Sequence, residues 1–154
     1  MQDYLQVVSF RLGAEEYAIE ITKVKEIILV EGITKVPQMP GYIEGIINLR
    51  GTVIPVLDLR KRFAVGESAF TEHTRIVVTR LQGRIIGMIV DAVSRVMKIP
   101  KADIQPPPET IACMAGEYLV GVAKLGERMQ LVLDVERVLQ ANEAAQLDGK
   151  TVHA

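Results

Sequence analysis

Few residues in this chain are equipped for covalent or metal chemistry. Its 154 residues include one cysteine, Cys113, and two histidines, His73 and His153. One thiol cannot close an internal disulfide, and one Cys with two His does not make a zinc set. Cys113 stands beside Met114 and Ala115, the setting of a small apolar residue rather than of an activated thiol. His73 falls in a polar stretch and His153 near the C-terminal end, and neither has a supporting pattern around it. No phosphate-binding Gly-rich Lys loop, nucleophile elbow or His-Glu-x-x-His helix occurs. The adjacent carboxylates Glu15 and Glu16 sit at a turn, where solvation explains them more simply than acid–base work. The chain therefore reads as a binding module with no cofactor and no metal. A small β-barrel enzyme with a scattered carboxylate site is the alternative from another class.

Charge narrows the partners. Lys and Arg total 18 against 19 Asp and Glu, a formal charge of −1, which gives no basic field for a nucleic-acid backbone. No apolar run approaches the roughly 20 residues of a membrane-spanning helix. Met1-Gln2-Asp3 lacks the basic start of an export signal, so a cytoplasmic protein without direct membrane insertion is expected. A chain of this size buries about 69% of its open surface on folding, enough for a core without staples.

The elements that must position any site read mainly as β. Apolar residues make up 49% of the chain and aromatic ones 5%, with Val and Ile prominent, side chains that suit a pleated surface. Strands are expected over Leu5–Leu12, Tyr17–Ile21, Gly45–Leu49, Thr52–Leu57, Thr74–Leu81, Ile85–Val90, Leu119–Leu125 and Met129–Leu133, with turn residues between them. Thr22–Ile28 fits either a short helix or a strand end, since Val24 and Ile27 fall three apart. Asp58 reads as the cap of a helical turn through Phe63, residues 64–72 and Ile104–Glu109 as loops, and Val135–Leu147 as a C-terminal helix. Gly51 supplies the positive φ of a tight hairpin turn. Arg50 before it is not required by that turn, where Asn or Asp serves better. Its planar guanidinium can instead hold carboxylates or carbonyls bidentately.

The chain repeats itself. At an offset of 76, Gly45/Gly121, Leu49/Leu125, Val56/Val132, Leu57/Leu133 and Asp58/Asp134 coincide, and at 69, Val24 and Ile27 fall on Val93 and Val96. One domain over 1–154 is expected, with pseudo-repeat halves at about 1–70 and 71–147 and a tail from 148. Two small β-barrels packed side by side, each of about 65–75 residues, would have an apolar and rigid contact, since either alone has a marginal core.

The run Gly45-Ile46-Ile47-Asn48-Leu49-Arg50-Gly51-Thr52-Val53-Ile54-Pro55-Val56-Leu57-Asp58-Leu59-Arg60 resembles the signature of the CheW family of bacterial chemotaxis coupling proteins. Glu16–Ile21, Val24–Ile27, Val36-Pro37, Gly87–Val93, Pro106–Pro108, Glu117–Gly121 and Leu131–Val135 extend the likeness over residues 4–147. The resemblance implies two SH3-like five-stranded barrels, with short helices and a C-terminal helix, and a scaffold that catalyses nothing. Such proteins couple transmembrane chemoreceptors to the histidine kinase CheA, and can alternate in rings with its regulatory domain or with other CheW-like domains. The groove between the barrels receives the receptor's helical hairpin tip. On that basis Val24, Glu26, Ile27, Gly45, Arg50, Gly51, Ile85 and Val96 are the expected receptor-binding residues, with Glu26 pointing to solvent as a polar rim. Kinase contact is expected at the barrel ends, through Val53, Ile54, Leu119, Val120 and Met129, of which strand alternation must turn some inward. Recruitment through receptors would place the protein at the inner face of the membrane. An adaptor of another receptor–kinase pathway, such as surface motility, is the alternative within the class.

Overall fold

β-Branched and polar residues alternate along most of the chain, and strands follow. The structure, a computed structural model, describes residues 3–39, 43–62, 69–81, 83–106 and 119–138. In chain order these are β1 (Tyr4–Leu12), β2 (Glu15–Glu20), a 3₁₀ turn (Ile21–Lys23), β3 (Val24–Leu29), β4 (Ile43–Leu49), β5 (Thr52–Asp58) and α1 (Leu59–Arg62). β6 (Arg75–Leu81), β7 (Arg84–Val90), β8 (Ala92–Pro100), a 3₁₀ turn (Lys101–Asp103), β9 (Ile104–Gln105), β10 (Leu119–Leu125), β11 (Arg128–Leu133) and α2 (Val135–Val138) complete them. The segment left open between helix and strand is β3, as its Val24, Ile27 and Ile28 favour. The loop expected from Ile104 opens on the two-residue β9 instead. Cys113, His153 and the C-terminal helix past Val138 lie outside the described residues.

The strands form two sheets, ordered β8-β1-β2-β11-β10-β9 and β3-β6-β7-β5-β4. They correspond to the two SH3-like barrel subdomains, one with a short sixth strand. Neither sheet is built from one half of the chain. The hairpin β1–β2 joins the strands that follow Asp91, while β6–β7 joins β3, β4 and β5. The exchange is reciprocal and keeps register. Val8 faces Val96 and Phe10 faces Val93 in one sheet, while Val77 faces Ile27 and Thr79 faces Val24 in the other. Each of these pairings passes into its counterpart through the sequence offset of 69. The offset of 76 recurs too, with Ile43↔Leu57 and Gly45↔Val56 matching Leu119↔Leu133 and Gly121↔Val132.

Two glycines shared by the repeat have a steric cause. A Cβ on Gly45 (φ +154°) would lie 2.2 Å from the carbonyl oxygen of Thr34, and one on Gly121 would lie 2.6 Å from that of Gln105. At the first site the close strands exchange two backbone hydrogen bonds, Thr34 N–H to Ile46 O (2.9 Å) and Ile46 N–H to Thr34 O (2.8 Å).

Among the described residues there are three apolar clusters. Ile47, Ile54, Val56, Ile76, Val78 and Ile89 pack within the five-stranded sheet; Val7, Ala18, Ile99, Ala123 and Val132 pack within the other. The largest mixes both, bringing Phe10, Leu12 and Ile19 against Leu57, Met88 and Leu133. A buried ion cluster spans the same junction. Arg60, 1% exposed, donates to both oxygens of buried Asp58 (2.9 Å each), to Ala69 O (2.7 Å) and to Asp91 Oδ1 (3.2 Å). Asp91, between β7 and β8, in turn accepts from the Gly13 N–H in the β1–β2 turn at 2.7 Å. Desolvation is the largest influence on Arg60 and opposes its charge. Hydrogen bonds and charge from Asp58, then Asp91, outweigh it and leave the guanidinium above its ordinary value. Asp58 also accepts the Arg60 backbone N–H at 3.0 Å, the cap expected of it.

Two stability outcomes follow. Gly45→Ala should cost at least about 2 kcal/mol in urea unfolding. Gly126→Ala (φ +66°, open space around the Cβ) should cost about 1 kcal/mol; equal losses would count against the close approach at Thr34. Arg60→Ala should cost about 3–5 kcal/mol, because it strands a buried carboxylate. A loss below about 1 kcal/mol in the same assay would show that Asp58 does not depend on it.

Candidate functional site

The β4–β5 turn builds a defined polar feature at the surface. Arg50 and Gly51 both take positive φ, +51° and +90°, the two-residue turn whose twist matches a hairpin. The Gly51 N–H donates to Asn48 Oδ1 at 2.8 Å, which fixes the turn from its own strand. Arg50 is thus held in a conformation that suits Asn or Gly better, and its guanidinium reaches across to β3. There Nη1 donates to Glu26 Oε1 at 3.1 Å and Nη2 donates to Glu26 Oε2, a bidentate pair. Lys25 Nζ stands 3.6 Å from the same carboxylate.

Arg50 therefore does hold a carboxylate bidentately, and the carboxylate is this chain's own. Glu26 lies at the surface as expected of a rim residue, but paired within the chain. Its side chain is 24% exposed and engaged, while its neighbour Ile27 is the exposed one. Hydrogen bonding from Arg50 is the main cause that holds the Glu26 carboxyl below its ordinary value. Desolvation opposes it, and the charges of Arg50 and Lys25 assist it.

The other expected residues divide by burial. Val24 is half-buried against the shared core and Ile85 half-buried against the core of the five-stranded sheet. Val96 is exposed on β8, the register equivalent of Ile27 on β3, so these two occupy end strands of different sheets. Gly45 is buried, and its close contact is with Thr34 rather than with an outside partner. Val53, Val120 and Met129 are exposed apolar side chains. Ile54 (2%) and Leu119 (7%) are core residues, which removes both from a kinase-contacting face. Alternation decides the first case, since adjacent Val53 and Ile54 must face opposite ways. The exposed Leu29 was not singled out from sequence; with Ile28, Ile47 and Leu49 it lines a groove of about 530 Å³ between β3 and β4. Among the described residues no group of three His, Cys, Asp or Glu is placed to hold a metal ion.

Residues 6–143 match the family model described as a CheW-like domain. The chain belongs to the CheW family. It is 40% identical over 140 residues to the Chemotaxis protein CheW of Klebsiella aerogenes, covering 91% of this chain and 84% of that one. Over 133 residues it is 32% identical to Protein FrzA of Myxococcus xanthus, covering 85% and 82%. Among solved structures, the scaffolding protein TtCheW from Thermoanaerobacter tengcongensis matches with a TM-score of 0.83 and 36% identity, over 91% of this chain and 95% of that one. The CheW likeness thus spans both sheets and includes the β4–β5 turn.

The depressed Glu26 value has a testable sign. Its carboxyl should titrate below an ordinary glutamate in a carbon-detected NMR titration, and Arg50→Ala should move it upward. A folded value below the unfolded one adds stability that is fully present above the unfolded carboxylate range. That stability is lost as pH falls through the folded value. The melting-temperature difference between wild type and Arg50→Ala should therefore vanish in acid; a difference that grows there would contradict the pair.

Proposed function

We propose that this chain is the non-catalytic scaffold of a chemotaxis signalling array, coupling the helical hairpin tips of transmembrane chemoreceptors to the regulatory domain of a CheA-type kinase. A bridge needs two kinds of face on one stiff body. The observation that carries the reading is a set of exposed apolar side chains in register-equivalent pairs, Ile27 with Val96 and Val53 with Met129. They stand on two sheets joined through a common apolar core. Ile27, with the Glu26–Arg50 pair beside it, offers an amphipathic receptor helix an apolar seat and a charged rim. Val53, Val120 and Met129 are left for the kinase and for other CheW-like domains in rings. Among the described residues no helix is long and apolar enough to cross a membrane. Receptor binding is then what would bring the protein to the inner face of the membrane.

An adaptor of a different receptor–kinase pathway is the second reading, favoured by the likeness to Protein FrzA, whose name carries no chemotaxis term. Co-sedimentation with a CheA regulatory domain and a receptor tip fragment from the same cell distinguishes the two. Wild type should pellet with both. Ile27→Asp and Arg50→Ala should each lose receptor affinity by roughly tenfold or more while keeping the kinase. Binding to neither partner would end the chemotaxis reading and leave the second one.

A further inference from the structure

One place in the repeat is filled in the five-stranded sheet and open in the six-stranded one. In the first, Asp58 accepts the Arg60 N–H at 3.0 Å and holds the buried Arg60 guanidinium on both carboxylate oxygens. The offset of 76 puts Asp134 and Glu136 at these positions in the second. Asp134 caps its helix in the same way, accepting the Glu136 N–H at 3.1 Å. The side chain two residues on is here an acid, and it turns to Lys23 at 3.1 Å. Beside Asp134 lies a cavity of about 260 Å³. Glu20, Lys23, Asp134 and Glu136 supply its polar lining, and Leu5 and Val120 are part of its apolar wall.

The lining suits a cation. Three carboxylates and one ammonium give it a formal charge of −2. Arg137, exposed, stands 3.4 Å from Asp134 Oδ2 and brings the surroundings to −1. Glu20 is half-buried, and among the described residues its carboxylate has no hydrogen-bond or ion-pair partner. The equivalents of Glu20 and Leu5 in the other sheet are Ile89 and Thr74, both buried, so that sheet is closed where this one is open. A half-buried carboxylate against apolar walls is costly to leave unpaired. The volume lies below the roughly 300 Å³ at which pockets for drug-sized ligands begin, and fits a single side chain. A guanidinium is weakly hydrated and can bond two acids at once, which suits such a place better than an ammonium does.

We propose that this cavity receives an arginine side chain from the kinase's regulatory domain. Its guanidinium takes on Asp134 and Glu20 the place that Arg60 takes on Asp58 in the other sheet. Val120, half exposed on the cavity wall, packs against the apolar surface beside that arginine. The inference rests on the adaptor reading, which leaves Val120 for the kinase, and it adds the chemistry of one contact.

The probe is the CheA regulatory domain, titrated calorimetrically into the full chain, with a receptor tip fragment titrated in parallel. Glu20→Gln should weaken kinase binding roughly tenfold. Lys23→Ala removes the competing cation and should strengthen it roughly threefold, with little effect on folding because the Lys23–Glu136 pair is half exposed. Lys23→Ala combined with Glu136→Arg rebuilds the Ala92 and Arg60 arrangement of the other sheet. The chain's own guanidinium then fills the cavity, and kinase binding should fall roughly tenfold or more while the receptor tip binds as before. Opposite signs at one cavity are what a purely structural role does not produce. Weakening by Lys23→Ala, or unchanged binding in Glu20→Gln, overturns the proposal, as does a loss of both partners together. Thermal unfolding identifies a misfolded variant; should the double variant be one, the two single variants decide. Kinase binding by wild type that these variants leave unchanged removes this inference and keeps the adaptor reading. Wild type that binds neither partner ends both.

Discussion

The apolar cluster shared by the two sheets is the constraint on which the rest of the molecule depends. It takes Phe10, Leu12, Tyr17 and Ile19 from the first hairpin and Val77, Leu81, Ile86, Met88 and Val90 from its equivalent. Leu57, Leu59, Leu119, Leu133 and Val135 come from the ends that close each sheet. Each sheet alone keeps a cluster of only five or six buried side chains, so neither sheet can desolvate its strands without the other. Large apolar contacts between subdomains suppress their relative motion. Faces on opposite sheets are therefore held at a set separation.

Polar ties reinforce that junction, and they show how far the repeats have diverged on one backbone. In the first, the helix after β5 provides a buried cation, Arg60, to the anion Asp91 at the crossover between β7 and β8. In the second, the helix after β11 provides an anion, Glu136, to the cation Lys23 at the crossover between β2 and β3, at 3.1 Å. The charges are reversed and so is the burial: Arg60 is 1% exposed, while Lys23 and Glu136 are 33% and 30% exposed. A half-exposed pair contributes little in water, whereas a buried cluster is unforgiving of losing one member. One crossover is consequently pinned by charge and the other chiefly by packing.

Much of this was legible in sequence because local rules reach it. Alternating β-branched residues located eight strands but left β3 open and did not name β8 or β9, Gly51 and Asp58 located a turn and a cap, and two fixed offsets exposed the repeat. The reciprocal exchange of hairpins was not legible, because a periodicity of two states which face a side chain takes but not which strand lies beside it. The pairing of Glu26 was not legible for the same reason: its partner Arg50 is 24 residues away. Ile54 and Leu119 show the limit within a strand, where an apolar residue beside an exposed one must be assigned a face before it can be assigned a role. Glu16 looked like a solvated turn carboxylate, and only the buried Ser9–Gln130 support beneath it distinguishes it from its neighbour Glu15.

A stiff scaffold still has to pass information. A ligand shifts an equilibrium only through contacts that differ between the two states, so a body with one conformation must act through contacts it makes and breaks at its surface. On the proposed function, the Glu26–Arg50 pair is the candidate for such a contact. It lies at the surface with the Arg50 side chain 65% exposed, and its turn is anchored independently through Asn48, so exchanging the carboxylate leaves the backbone in place. An intramolecular acid that occupies the guanidinium sets a threshold, because an incoming carboxylate must outcompete a partner already at 3.1 Å. On the proposed function, a receptor state that presented an acid in register would displace Glu26, and one that presented it out of register would leave the pair intact. Discrimination between receptor states would then be local to β3 and the β4–β5 turn, and the shared core would hold the proposed kinase face where that discrimination can be felt.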